Sequence, residues 1–283
     1  MIAGMGRREA SEMLASGRVQ SLAPIAGLAL LGALFKSIAA VQGSRAALVD
    51  LLTCIANIIA LAALAYVLRV SGLPPDEDHP YGHERFETAG VLWITTVYGF
   101  VAGYGVAVLL LEGVRERIPA SAAIFAIIGT FFYAAAIVYA RRAGLAGRAY
   151  AAFTLSEVFE GIVVAAAALA GSLFNPLVDY LAAWGLLAYL VYELYENVYH
   201  VTCILTERVP PELVRRVKAR LEEKGLRVVS LRLRPILPGI YVGDAVVRVK
   251  GDSLRRVHEV VDAVEREIRS KCRVHLVIHY EPE

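Results

Sequence analysis

Cysteine, methionine and tryptophan are scarce in this 283-residue chain, which holds three, three and two of them. Cys54, Cys203 and Cys272 stand far apart with no CxxC, which speaks against a disulfide framework or a structural zinc cluster. The six histidines all lie outside the first five long apolar runs. An excess of one charge is missing too. Lys and Arg number 29 and Asp and Glu 27, a net charge of +2, so no nucleic-acid partner is implied. There is no nucleotide-binding loop and no nucleophile–base arrangement, which speaks against a membrane enzyme.

Long apolar runs are what the chain has instead. It is 57% hydrophobic, and those residues concentrate in 21–206. A bilayer-spanning helix takes about 20 apolar residues. Six segments qualify, at roughly 21–41, 46–70, 88–112, 119–140, 149–173 and 177–205. The breaks between them carry turn and charge signals, among them QGSR, EGVRERIP and SLFNP. Residues 1–20 hold Glu9 and Glu12 and read as a short cytosolic lead-in, not a removed signal peptide. Basic residues set the expected orientation. Arg7, Arg8, Arg18, Arg69, Arg85, Arg141, Arg142 and Arg148 would flank the inside, against Arg45, Arg115 and Arg117 outside. Both termini are therefore expected in the cytosol.

The expected organisation is a lead-in at 1–20, a six-helix membrane domain at 21–208 and a cytosolic α/β domain at 209–283. In the last, PPELVRRVKARLEEKG has helical spacing and stops at Gly225. LRVVSLRLR, IYVGDAVVRV and RVHLVIHY read as strands. DSLRRVHEVVDAVEREIRS reads as an amphipathic helix capped by Asp252 or Ser253. The order αββαβ suits a sheet covered by helices, and so small a module would gain from pairing with a second copy.

Residues 74–87, PPDEDHPYGHERFE, lie between the second and third apolar runs. Asp76, His79 and His83 combine two imidazoles and a carboxylate around a Pro-Tyr-Gly turn, a donor set that suits a divalent metal such as Zn²⁺. The same run could instead cap the third helix without metal. Glu77 and Asp78 are further acids beside it.

Six membrane segments, HPYGHER after the second, and a trailing αββαβ domain together resemble the cation diffusion facilitator family. Lys36, Gly43-Ser44, ALVD at 47–50, Asn175-Pro176 with Asp179, and Glu207-Arg208 before Pro210-Pro211 extend the likeness over nearly the whole chain. The resemblance implies a ferredoxin- or metallochaperone-like tail, a homodimer in the lipid bilayer, and export of divalent metal in exchange for protons. It places the protein in a membrane, expected to be the cell membrane.

The resemblance also implies a transport site built from an i, i+4 pair on the second helix and another on the fifth. Counting from His79 and from Asp179 gives Thr53 with Asn57, and Phe153 with Glu157. This departs from the family pattern, since Phe153 offers no ligand and Asn57 is an amide. Asp50, one turn before Thr53, and Glu160, three residues after Glu157, are nearby acids. A site of Asp50, Asn57, Glu157 and Glu160 with Thr53 would be all oxygen and would favour Mn²⁺, Mg²⁺ or Fe²⁺ over Zn²⁺. Asp50 could instead pair with Lys36. Cys54 offers a soft donor but, shifted around the helix, reads as packing. With no histidine there, proton exchange would run through carboxylates, which must shed protons to bind metal.

In the tail, the resemblance points to His258, His279 and Glu281 as regulatory metal ligands. Ser230 stands where a histidine is often found, which depletes a two-metal site. His275 shares the strand face of His279. His200, Glu193 and Glu196 lie in a Tyr-rich stretch that reads as interfacial, with the acids facing a cytosolic vestibule or solvent. The alternative to a transporter is a metal-sensing or partner-binding protein on the same fold that no longer transports.

Overall fold

A computed structural model of the chain describes residues 23–142, 156–237, 239–250 and 253–282. The lead-in 1–20, Arg148, Phe153, the start of the fifth apolar run and Asp252 lie outside the described residues. The described chain divides into two compact units that part at Val198–Tyr199.

The first unit is helical: α1 (Ala23–Val41), α2 (Arg45–Val70), α3 (Phe86–Glu112), α4 (Ser121–Arg142), α5 (Ser156–Leu173) and all but the last turns of α6 (Pro176–Leu205). All six are long and apolar enough to cross a bilayer. Large apolar side chains remain uncovered on every one of them, among them Leu34, Ile59, Phe100, Phe131, Phe159 and Leu181. Such a belt is costly in water and natural in lipid.

Lipid offers no hydrophobic drive between helices, so close packing relies on small residues. Gly32 on α1 and Gly129 on α4 supply one close crossing. A Cβ on Gly129 would lie 2.7 Å from Cγ of Lys36 and 2.9 Å from the Gly32 carbonyl oxygen. Gly161 gives α5 the same access to Thr130 on α4. Alanines 46, 56, 123, 126, 165, 167 and 168 fill the core between.

Two helix starts are fixed by polar caps. Ser44 caps α2, its Oγ accepting from the Ala47 amide at 3.0 Å. Asn175 accepts from the Leu177 amide at 2.9 Å just before Pro176 opens α6. Asp179 of α6 then takes Ser44 Oγ–H and the Arg45 amide, each at 2.6 Å. A buried carboxylate thus meets the positive end of the α2 dipole.

The second unit carries α7 (Pro211–Glu223), β1 (Arg227–Leu237), β2 (Ile240–Val249), α8 (Leu254–Cys272) and β3 (Val274–Pro282), the expected αββαβ order. Ser253 is the cap of α8. The sheet runs β1-β2-β3, with β1 antiparallel and β3 parallel to β2. Alternation sends Val274, Leu276 and Ile278 inward against Val217 and Leu221 of α7 and Val261, Val264 and Ile268 of α8. His275, Val277 and His279 point outward.

Candidate metal site

Helix periodicity places Asp50, Thr53, Cys54 and Asn57 on one side of α2, and all four are buried. α5 begins with Glu157 and Glu160, both buried. Where α2 meets α5, Asp50, Cys54 and Glu157 each offer a donor atom, and the three atoms lie within 4.8 Å of one another. Asn57 joins them indirectly: its amide NH₂ donates to Glu157 Oε1, and its carbonyl accepts from the Tyr98 hydroxyl of α3. This chain of bonds orients the Glu157 carboxylate, as outer partners orient a ligand.

Lys36 of α1 closes the other side. Its ammonium donates to Asp50 Oδ1 at 2.7 Å and lies 3.3 Å from Cys54 Sγ. The second oxygen, Asp50 Oδ2, is buried without a hydrogen-bond partner. A small cavity of about 20 Å³ opens beside the cluster between Tyr98, Ser156, Glu157, Glu193 and Asn197. That is room for about one water or one bare ion.

The other expected residues fall differently. The Thr53 hydroxyl donates to the Asp50 carbonyl of its own helix at 2.8 Å. Glu160 lines a separate, mostly apolar cavity of about 470 Å³ with Phe159, Val163 and Tyr189. Cys54, read from sequence as packing, instead stands among the donors, 3.8 Å from Glu157 Oε2. The sequence signal for it is its i, i+4 distance from Asp50, on the face that 50, 53, 54 and 57 share. That spacing puts both on one face whatever the loop length after the helix. The three clustered donors therefore include a thiol and are not all oxygen.

The loop between α2 and α3 gathers a second group. Asp76 Oδ1 accepts from the His79 amide at 2.7 Å, and Asp76 Oδ2 lies 3.3 Å from His83 Nε2. The two imidazole rings are 4.4 Å apart by centroid, with Phe86 against both. Gly82 permits the turn with φ of +89°. The His79 amide and the nearby imidazoles hold the Asp76 carboxyl below its usual range. Asp76, His79 and His83 can share one ion.

The tail residues are not gathered within one chain. His258 lies 3.7 Å from Asp262 on the exposed side of α8. Glu281 pairs with Arg248 at 3.8 Å. Among the described residues, neither group of three or more donors includes His258, His279 or Glu281.

Residues 24–206 match the cation efflux transmembrane domain, and residues 209–283 match the cytoplasmic domain of cation efflux proteins. The chain belongs to the cation efflux family. It is an integral membrane protein, as the apolar belt requires, and the resemblance read from HPYGHER and the order of elements holds. Two relatives are manganese efflux system proteins of Bacillus subtilis (strain 168). MneP is 24% identical over 220 residues, 72% of this chain and 73% of MneP. MneS is 40% identical over 84 residues, 30% of this chain and 29% of MneS. The chain thus matches less than a third of the length of MneS.

Proposed function

We propose that this cation efflux family member exports divalent metal ions from the cytosol. Asp50, Cys54 and Glu157 would hold the ion, with Asn57 and Tyr98 setting the Glu157 carboxylate. The observation that carries this reading is the meeting of three buried donors from two membrane helices, within 4.8 Å, where buried polar groups are costly unless they serve a purpose. The ion is substrate and not a resident cofactor.

Mn²⁺ is the first ion to test. The relatives are named for manganese, and two carboxylates suit a hard ion. The Cys54 thiol widens the range toward Fe²⁺ and Zn²⁺. Metal binding displaces protons from the donors, which supports proton antiport, and alternating access is the cycle proposed for it. Both termini lie in the cytosol on this reading, and the αββαβ unit joins two copies into a homodimer. His258, His279 and Glu281 would then need the second copy to complete any metal site. Asp76, His79 and His83 form a separate loop site.

Proteoliposomes under an imposed pH gradient test the function. Mn²⁺, Fe²⁺, Zn²⁺ and Cd²⁺ are compared, with Mn²⁺ expected to move fastest and only when the gradient is present. Absence of flux for all four, with metal still bound to the folded protein, would support a sensor in place of an exporter.

A further inference from the structure

Lys36 is buried completely within α1, where a free ammonium would be costly. Its position is built, not incidental. The missing Cβ at Gly129 makes room for its stem, and the Tyr133 ring lies 4.6 Å from its ammonium. Tyr133 is tied in turn to the Cys54 carbonyl at 3.3 Å. The ammonium touches two of the three groups proposed to take the ion, Asp50 at 2.7 Å and Cys54 at 3.3 Å.

A carboxylate oxygen binds a transition metal at about 2.0–2.2 Å. An ion on Asp50 and Cys54 would therefore lie a few ångströms from the ammonium in a medium of low dielectric. Repulsion between the two cations there is strong. Asp50 Oδ2, buried and unpartnered, is a free acceptor on the same carboxylate that holds the ammonium.

We propose that Lys36 is a tethered competitor of the transported ion: its ammonium neutralises Asp50 in the empty site, and a divalent cation must displace it to bind Asp50 and Cys54. The proposal rests on the transport site described above. Two consequences follow. A monovalent ion gains no charge by replacing an ammonium, whereas a divalent ion does, so the exchange favours divalent substrates. The returning ammonium also helps expel the ion, which keeps binding weak enough for release.

The test is Mn²⁺ titration of the purified full-length protein in detergent, with flux in proteoliposomes alongside. Lys36→Gln keeps a donor for Asp50 and removes the charge. It should tighten Mn²⁺ binding about tenfold or more and slow flux at saturating Mn²⁺. A merely structural lysine predicts the opposite sign, weaker binding; weaker or unchanged binding by folded Lys36→Gln overturns the proposal. A Mn²⁺-bound structure of the wild-type chain decides the matter if that variant fails to fold. Lys36 Nζ is expected beyond ion-pair reach of Asp50, about 4 Å. Mn²⁺ on Asp50 with the pair intact overturns the proposal. Glu157→Gln separates the two levels: if it leaves Mn²⁺ binding unchanged, the site itself is misassigned, whatever Lys36 does.

Discussion

Asn57 on α2 donates a hydrogen bond to Glu157 on α5, so the amide that by composition subtracts a charged ligand steadies the neighbouring carboxylate instead. The Tyr98 hydroxyl holds the other end of the Asn57 amide. Asn57→Ala should weaken Mn²⁺ binding about 10–100-fold, the usual effect of losing a group that orients a ligand. Tyr98→Phe, which leaves Asn57 in place, should do less. Isothermal titration reads both; equal affinity in Asn57→Ala and wild type would contradict the orienting role.

Helix crossing at Gly129 is the second point of leverage. A side chain there meets Lys36 Cγ and the Gly32 carbonyl. Gly129→Leu should destabilise the protein by about 1–3 kcal/mol or more through overpacking. A thermal melt in detergent measures it, and an unshifted melting temperature would mean that α1 and α4 do not cross so closely.

Asp179 should behave as a structural acid despite lying in a membrane helix. It receives the Ser44 hydroxyl and the Arg45 amide at the start of α2. Asp179→Ala leaves those donors unpaired, at a cost of about 1–3 kcal/mol. Hydrogen exchange at the Arg45 amide should speed up while Mn²⁺ affinity changes little. Loss of affinity without faster exchange would move Asp179 into the metal site.

The loop between α2 and α3 should hold its shape far into acid. Asp76 titrates below its unfolded value, because the His79 amide bonds the charged form. This stabilisation is complete above the unfolded aspartate pKa, about 3.9. It is lost as pH falls through the lower folded value. Exchange protection of the His79 amide, corrected for the intrinsic pH dependence, should stay flat from pH 7 to about 4 and drop below that. A drop beginning near pH 6 would implicate the imidazoles instead.

Much of this molecule was legible in its sequence because its signals are long. Six apolar runs separated by QGSR, HPYGHER and SLFNP leave little choice of architecture, and the tail's alternating strands read with equal ease. Ser253 was one of two possible caps for α8, and it is the cap in the structure. Asp50 and Glu157 stood out as acids in apolar helices. Cys54 is a soft donor by composition, but counting from His79 selects Thr53 and Asn57 and leaves it to packing, since a loop's length does not fix a helix face. The pairing of Lys36 with Asp50 is one of the alternatives the sequence offers, and it forms at 2.7 Å. The meeting of Tyr98 with Asn57 is not legible there, because it depends on how α3 packs against α2.

Glu157 and Asp50 are proposed to carry the ion. Mn²⁺ flux into proteoliposomes, measured side by side for wild type, Glu157→Gln and Asp50→Asn at equal protein density and confirmed folding, tests it most directly. Both variants should lose nearly all flux. Wild-type flux in Glu157→Gln would place the ion's path elsewhere in the helical unit.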